Sequence, residues 1–271
     1  MHRTPLNGYF FDYICLVLNE SKLKIQHILF FLILLISCNQ EKKSKLTIAT
    51  AANMKFAMQE LVKEFQKETG IENEIIVGSS GKLTAQIKEG APYDLFVSAD
   101  MKFPNALFKN GLTTEEPKVY AYGKLVIWTM NTQFDADFKT MFKKQVNHIA
   151  LANPKTAPYG RAAEEVLKKK GLFEILKSKF VYGESIAQTN QFIKSYVAEI
   201  GLTAKSVVMS KNMREVGKWK DVDSSLYTPI EQGLVILKNR DIHLEEAEKF
   251  QDFLFSVKGK EILNKFGYSI K

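Results

Sequence analysis

Leu46-Thr47-Ile48-Ala49-Thr50-Ala51 runs without a break into Ala52-Asn53, and from there the apolar spacing changes period. The first six residues alternate and end in small side chains, which is the pattern of a strand. Met58, Leu61, Val62 and Phe65 then fall at i, i+3, i+4 and i+7. That spacing predicts a helix reaching about Thr69 and stopping at Gly70, with Asn53 standing where an N-cap would. Downstream, Glu74-Ile75-Ile76-Val77 reads as a second strand and Gly78-Ser79-Ser80-Gly81 as a turn. A stretch carrying Leu83 and Ile87 reads as a second helix, closed by Gly90-Ala91-Pro92, and residues 94–98 as a third strand. Strand, helix, strand, helix, strand predicts right-handed crossovers and an α/β fold with mostly parallel sheets.

The alternation continues. Residues 124–130 and 148–152 read as strands, the second feeding the loop Asn153-Pro154-Lys155-Thr156-Ala157-Pro158-Tyr159-Gly160 and a helix over residues 161–170. Val181-Tyr182 and residues 234–237 read as further strands. Residues 244–266 read as one helix with Phe250, Phe253, Leu254 and Val257 on its apolar positions.

Upstream of Leu46 the chain changes character. Lys22 and Lys24 precede an apolar run, residues 28–36, that is too short to cross a bilayer, for which about 20 residues are needed. It suits the core of a signal peptide, about 7–15 residues. The run ends in Leu35-Ile36-Ser37-Cys38, which resembles a bacterial lipobox and implies cleavage before Cys38 and acylation of its thiol. Residues 1–37 are therefore expected to be a signal peptide and residues 38–44 a lipid-anchored tether on the periplasmic side of the cell membrane.

Composition narrows the function. The net charge is +8, from 38 basic and 30 acidic residues, but the lysines are dispersed and no arginine-rich block interleaved with aromatics occurs. That predicts a solvated basic surface and no nucleic-acid partner. His2, His27, His148 and His243 have no metal-ligand spacing, and Cys15 and Cys38 both precede the globular part. A zinc site, a disulfide framework and a Cys-His nucleophile are disfavoured. No phosphate-loop or dinucleotide fingerprint is present.

Three small-residue turns carry the chemistry: Ala51-Ala52-Asn53, Gly78-Ser79-Ser80-Gly81 and Ala157-Pro158-Tyr159-Gly160, each ending a strand and opening a helix. Ligands of open parallel sheets bind beyond the carboxyl ends of strands. Helix starts there offer unpaired N–H groups and a positive dipole end, and small residues let an anion approach the backbone. Singly, each turn has a plainer reading: Asn53 as a cap, Ser79 and Ser80 as turn and cap residues, Tyr159 as packing over its loop. Jointly they predict an oxyanion site built from neutral donors.

From Leu46 onward the chain resembles the molybdate-binding proteins of molybdenum import systems, the ModA family. The matching segments are Ala51-Ala52-Asn53-Met54-Lys55-Phe56, residues 78–87, residues 90–100, Tyr122-Gly123-Lys124-Leu125-Val126-Ile127-Trp128, residues 149–154, Ala157-Pro158-Tyr159-Gly160-Arg161-Ala162-Ala163 and Gly183-Glu184-Ser185-Ile186-Ala187-Gln188-Thr189. The resemblance implies a two-lobed periplasmic-binding-protein fold of type II. Lobe one would be residues 45–122 plus 227–271 and lobe two residues 123–226, with chain crossings near Tyr122 and Tyr227 and a cleft between the lobes. It implies oxyanion ligation by Ala52 through its backbone, Asn53, Ser80, and the N–H groups of Tyr159 and Ile186. Some family members carry a tyrosine near the position of Ala204, whose hydroxyl reaches the ligand; Ala204 cannot supply one.

The function so implied is capture of molybdate or tungstate by a monomer and delivery to the permease of an ABC importer, with no cofactor and molybdenum present only as the bound oxyanion. A same-fold receptor for sulfate, phosphate or an organic acid is the alternative. An enzyme would need a titratable pair in the cleft, and the three turns contain none.

Overall fold

The computed structural model describes residues 45–211, 213, 215–238 and 243–270; the expected signal segment, Cys38 and the tether lie outside them. Residues 45–271 form one compact unit, built on two five-stranded sheets.

The first sheet has the order β2-β1-β3-β10-β4, from β1 (Leu46–Ala51), β2 (Asn73–Gly78), β3 (Leu95–Val97), β4 (Lys118–Gly123) and β10 (Ile230–Ile236). The second has the order β7-β6-β8-β5-β9, from β5 (Leu125–Thr129), β6 (Ile149–Ala152), β7 (Phe180–Gly183), β8 (Ile200–Ala204) and β9 (Lys218–Asp221). Each sheet is the centre of one lobe. Their cores repeat a plan: β2-β1-β3 and β7-β6-β8 are parallel, as the alternation predicted. The other pairings, those of β10 with β3 and β4 and of β5 with β8 and β9, are antiparallel. Each sheet is therefore mixed rather than mostly parallel.

Both faces of the first sheet are covered, and its central strands β1, β3 and β10 are buried along almost their whole length. Ile48 packs into a cluster with Met58, Leu61, Phe65, Phe250 and Leu263, whereas its neighbour Ala49 faces Leu83, Ile87, Phe96 and Leu107 on the other side. The helices concerned are α1 (Lys55–Thr69), α2 (Ser80–Lys88), α3 (Lys102–Lys109), and the C-terminal α8 (Leu244–Phe255) and α9 (Val257–Lys265). Phe65 meets Phe250 edge-on at 5.2 Å between centroids. In the second lobe α4 (Pro158–Lys169), the short α5 (Phe173–Leu176), α6 (Ile186–Lys194) and the short α7 (Lys205–Val208) surround Trp128, Leu151, Ala163, Val166 and Ile200.

Several local expectations need correction. Residues 244–266 are two helices, because the Ser256 hydroxyl accepts from the Gly259 N–H and caps a new one. The helix after β6 begins at Pro158, not Arg161, since proline fits a first helical position. Asn53 is not a cap: it sits inside a 3-10 turn, Ala52–Met54, that leads into α1. Strand β4, unpredicted, leads directly into β5 at Lys124, which is one crossing between sheets; the other lies between β9 and β10. There the Tyr227 hydroxyl accepts from the Leu125 N–H at 3.1 Å, so the two crossings are tied together.

Candidate functional site

The carboxyl ends of β1, β2, β6 and β7 face one recess. Ala52, Asn53, Ser80, Tyr159 and Ile186, the five residues expected to hold an anion, all line it, together with Ala51, Ser79, Ala99, Ala157 and Pro158. Its free volume is only about 10 Å³. No lining residue is ionisable at neutral pH. A larger recess of about 360 Å³ next to it carries Asp100, Arg161, Glu165 and Glu231 and is lined by charges of both signs. The predicted donors converge on the small one.

Each donor is positioned by the start of a helix. Ala52 and Asn53 form the 3-10 turn after β1, whose first N–H groups have no intrahelical acceptor. Ser80 opens α2, with Ser79 as its cap accepting from the Lys82 N–H at 3.3 Å. The Ser80 hydroxyl oxygen accepts the Ala99 N–H at 3.0 Å, which leaves its proton to donate elsewhere. Tyr159 follows Pro158 in the first turn of α4, and Gly160 lets that turn press against the end of β6, where a side chain would strike the Ala152 carbonyl. Ile186 is the first residue of α6, behind Ser185, which caps by accepting from Gln188.

Behind the recess lies a polar network that sequence reading missed. Asn53 Nδ2 donates to Gln232 Oε1 at 2.9 Å and to the Tyr268 hydroxyl at 3.0 Å, so both its amide protons are used and its side chain turns away from the recess. What Asn53 can offer an anion is its backbone N–H. Its carbonyl accepts from Tyr268 at 3.2 Å and from the Ser206 hydroxyl of the second lobe at 2.8 Å. Ala204, at the end of β8, is buried and brings no hydroxyl, but Ser206 from the same stretch does. Gln232 also accepts from Tyr120 at 2.8 Å and donates to the Tyr159 hydroxyl at 3.1 Å. Burial raises the pKa of Tyr120, Tyr159 and Tyr268 well above the ordinary tyrosine value, so all three act as neutral hydroxyls.

The lobes also meet outside the recess. The Gly81 N–H donates to the Thr156 carbonyl at 2.9 Å. Arg161 pairs with Asp100 and lies over the Phe103 ring, 5.5 Å from its centroid. Burial raises the Asp100 pKa, and Arg161 beside it offsets part of that rise.

Four strand ends deliver backbone and hydroxyl donors to one small, uncharged recess. The profile of the bacterial extracellular solute-binding protein family matches residues 46–269. The chain belongs to that family. It is 38% identical over 231 residues to the molybdate-binding protein ModA of Azotobacter vinelandii, covering 84% of this chain and 91% of that one. With ModA of Rhodobacter capsulatus it shares 37% identity over 221 residues, 81% of this chain and 86% of that one. The solved structure of the Azotobacter vinelandii periplasmic molybdate-binding protein superposes with a TM-score of 0.77 at 32% identity, over 84% of this chain and 100% of that one. The solute-binding family and the ModA relatives fit the two-lobed type II architecture of the fold. Among the described residues no helix is long and apolar enough to cross a membrane, and no group of three or more His, Cys, Asp or Glu could hold a metal ion.

Proposed function

We propose that the protein captures molybdate, or tungstate, in the interlobe cleft and hands it to the membrane permease of an ABC importer. The observation that carries this is the convergence of Ala52, Asn53, Ser80, Tyr159 and Ile186 on one small recess, in a chain that is 38% identical to a molybdate-binding protein. The ligand set in this reading is the backbone N–H of Ala52, Asn53, Tyr159 and Ile186 and the Ser80 hydroxyl. Helix starts supply positive dipole ends without a counter-charge to be desolvated, and exclusion of water strengthens each bond. The protein binds and releases its ligand unchanged, and needs no cofactor.

Lobe one is assigned residues 45–122 plus 227–271 and lobe two residues 123–226, moving about the crossings at Lys124 and Tyr227. The receptor is exported, acts as a monomer on the periplasmic side and is held to the membrane through Cys38. A thermal-shift panel of oxyanions tests the reading. A ligand at a hundred times its Kd adds about 2.7 kcal/mol of stability. Molybdate and tungstate should raise the melting temperature; no shift with either would refute the proposal.

A further inference from the structure

Gln232 is fully buried in β10, a strand that is otherwise apolar from Gly233 to Ile236. The pairing of β10 with β4 slips between Gln232 and Gly233, and such bulges re-aim a side chain. The amide here meets groups from three directions. Its oxygen accepts from Asn53 Nδ2 and from the Tyr120 hydroxyl, which uses both lone pairs. Its nitrogen donates to the Tyr159 hydroxyl across the lobe boundary. Gly123, the last residue before the crossing, makes room for this: a side chain there would collide with both the Tyr159 hydroxyl and Gln232 Nε2. The sequence thus keeps a glycine, a bulge and a buried amide together at the point where the two lobes touch behind the recess.

We propose that Gln232 is the positioning residue of the anion site, resting on the reading given above. Through Asn53 it holds the helix start of lobe one, and through the Tyr159 hydroxyl it holds that of lobe two. Neither contact uses the groups left for the anion, namely the backbone N–H of Asn53 and of Tyr159. The amide therefore sets the distance between donors of the two lobes without touching the ligand. A buried network of this kind specifies one arrangement when every member is satisfied. Breaking the Gln232–Tyr159 link should leave each lobe folded but let the two sets of donors drift apart, which speeds ligand escape.

The test uses Tyr159→Phe, which removes only the hydroxyl, beside Gln232→Met, which keeps the volume and removes the amide. Molybdate affinity and dissociation rate are measured on each variant, on the double variant and on the wild type, with melting temperatures taken without ligand. Each single change should weaken molybdate binding by about tenfold, the loss of the one buried hydrogen bond between the lobes that both variants remove, while Gln232→Met also removes the bonds to Asn53 and Tyr120 within lobe one and should lower the melting temperature further. The loss should fall mainly in a faster dissociation rate, and the double variant should be no weaker than the weaker single. Folded Tyr159→Phe with wild-type affinity and dissociation rate overturns the proposal, even if its melting temperature falls, because a purely structural role would move stability alone. Strictly additive losses in the double variant overturn it too. If wild-type protein binds no molybdate at all, the functional reading fails and this inference falls with it.

Discussion

The Ala99 N–H donates to the Ser80 hydroxyl oxygen at 3.0 Å, so a residue after β3 aims a hydroxyl at the head of α2 toward the recess. With that oxygen already accepting, the hydroxyl proton is directed to a further acceptor. A dianion in the recess would receive a charge-assisted bond worth about 1.5–3 kcal/mol. Ser80→Ala should weaken molybdate binding by roughly 10- to 150-fold, at 1.4 kcal/mol per decade. It also strips the Ala99 N–H of its acceptor, so the unliganded protein should lose about 1 kcal/mol of stability. Calorimetry and denaturant unfolding measure the two effects; unchanged affinity would remove Ser80 from the site.

How much of this site the sequence discloses follows from how each residue makes its contacts. Ala52, Asn53, Ser80 and Tyr159 sit in turns where a strand period gives way to a helix start, so local pattern draws attention to them, whereas Ile186 and the roles of all five come only from the family resemblance. Gln232 and Tyr268 stand in no turn or motif that would single them out. Gln232 meets Asn53 across 179 residues and Tyr120 across 112, and no local pattern encodes such a meeting. Asn53 shows the same limit: its position was legible, but the direction of its side chain depends on Tyr268, 215 residues away. The strands that went unread also have physical reasons. Gly201 interrupts β8 where it passes close to Ala150, and β9 is an edge strand reading Lys-Trp-Lys-Asp, charged as exposed edges are.

The Asp100–Arg161 pair across the lobes predicts a pH-dependent latch. Arg161→Ala leaves a mostly buried carboxylate without its partner, which should cost about 1–2 kcal/mol, less than a fully buried pair because the Arg161 side chain is 32% exposed. Burial holds the Asp100 pKa above the ordinary aspartate value, with Arg161 beside it offsetting part of the rise. Protonation on acidification relieves the unpaired charge in the variant and breaks the pair in the wild type. The difference between the two should therefore be largest at neutral pH and shrink as pH falls through the Asp100 titration. Melting curves across pH check this; a difference that grows toward acid would contradict the assignment.

Closure predicts a change in shape. Opening the cleft must break the Gly81–Thr156, Ser206–Asn53 and Gln232–Tyr159 bonds. Saturating molybdate should favour the closed arrangement and lower the radius of gyration seen by small-angle scattering. Superimposable curves with and without ligand would argue against a hinge at Lys124 and Tyr227.

The lipobox-like Leu35-Ile36-Ser37-Cys38 predicts that Cys38→Ala releases the protein from membranes. Fractionation of cells expressing both forms is the check. Wild-type protein found soluble, with a free thiol at Cys38, would rule out the anchor.

Selectivity follows from the recess having donors and no carboxylate among its lining residues. Hydrogen phosphate carries a proton that needs an acceptor, and burying it unpaired costs roughly 1–3 kcal/mol. Sulfate is fully deprotonated but smaller, so donors spaced for molybdate stand too far from its oxygens. A competition titration among the four oxyanions at neutral pH tests the central claim directly. The account predicts molybdate and tungstate together at the top, sulfate well below and phosphate last; sulfate or phosphate displacing molybdate would contradict it.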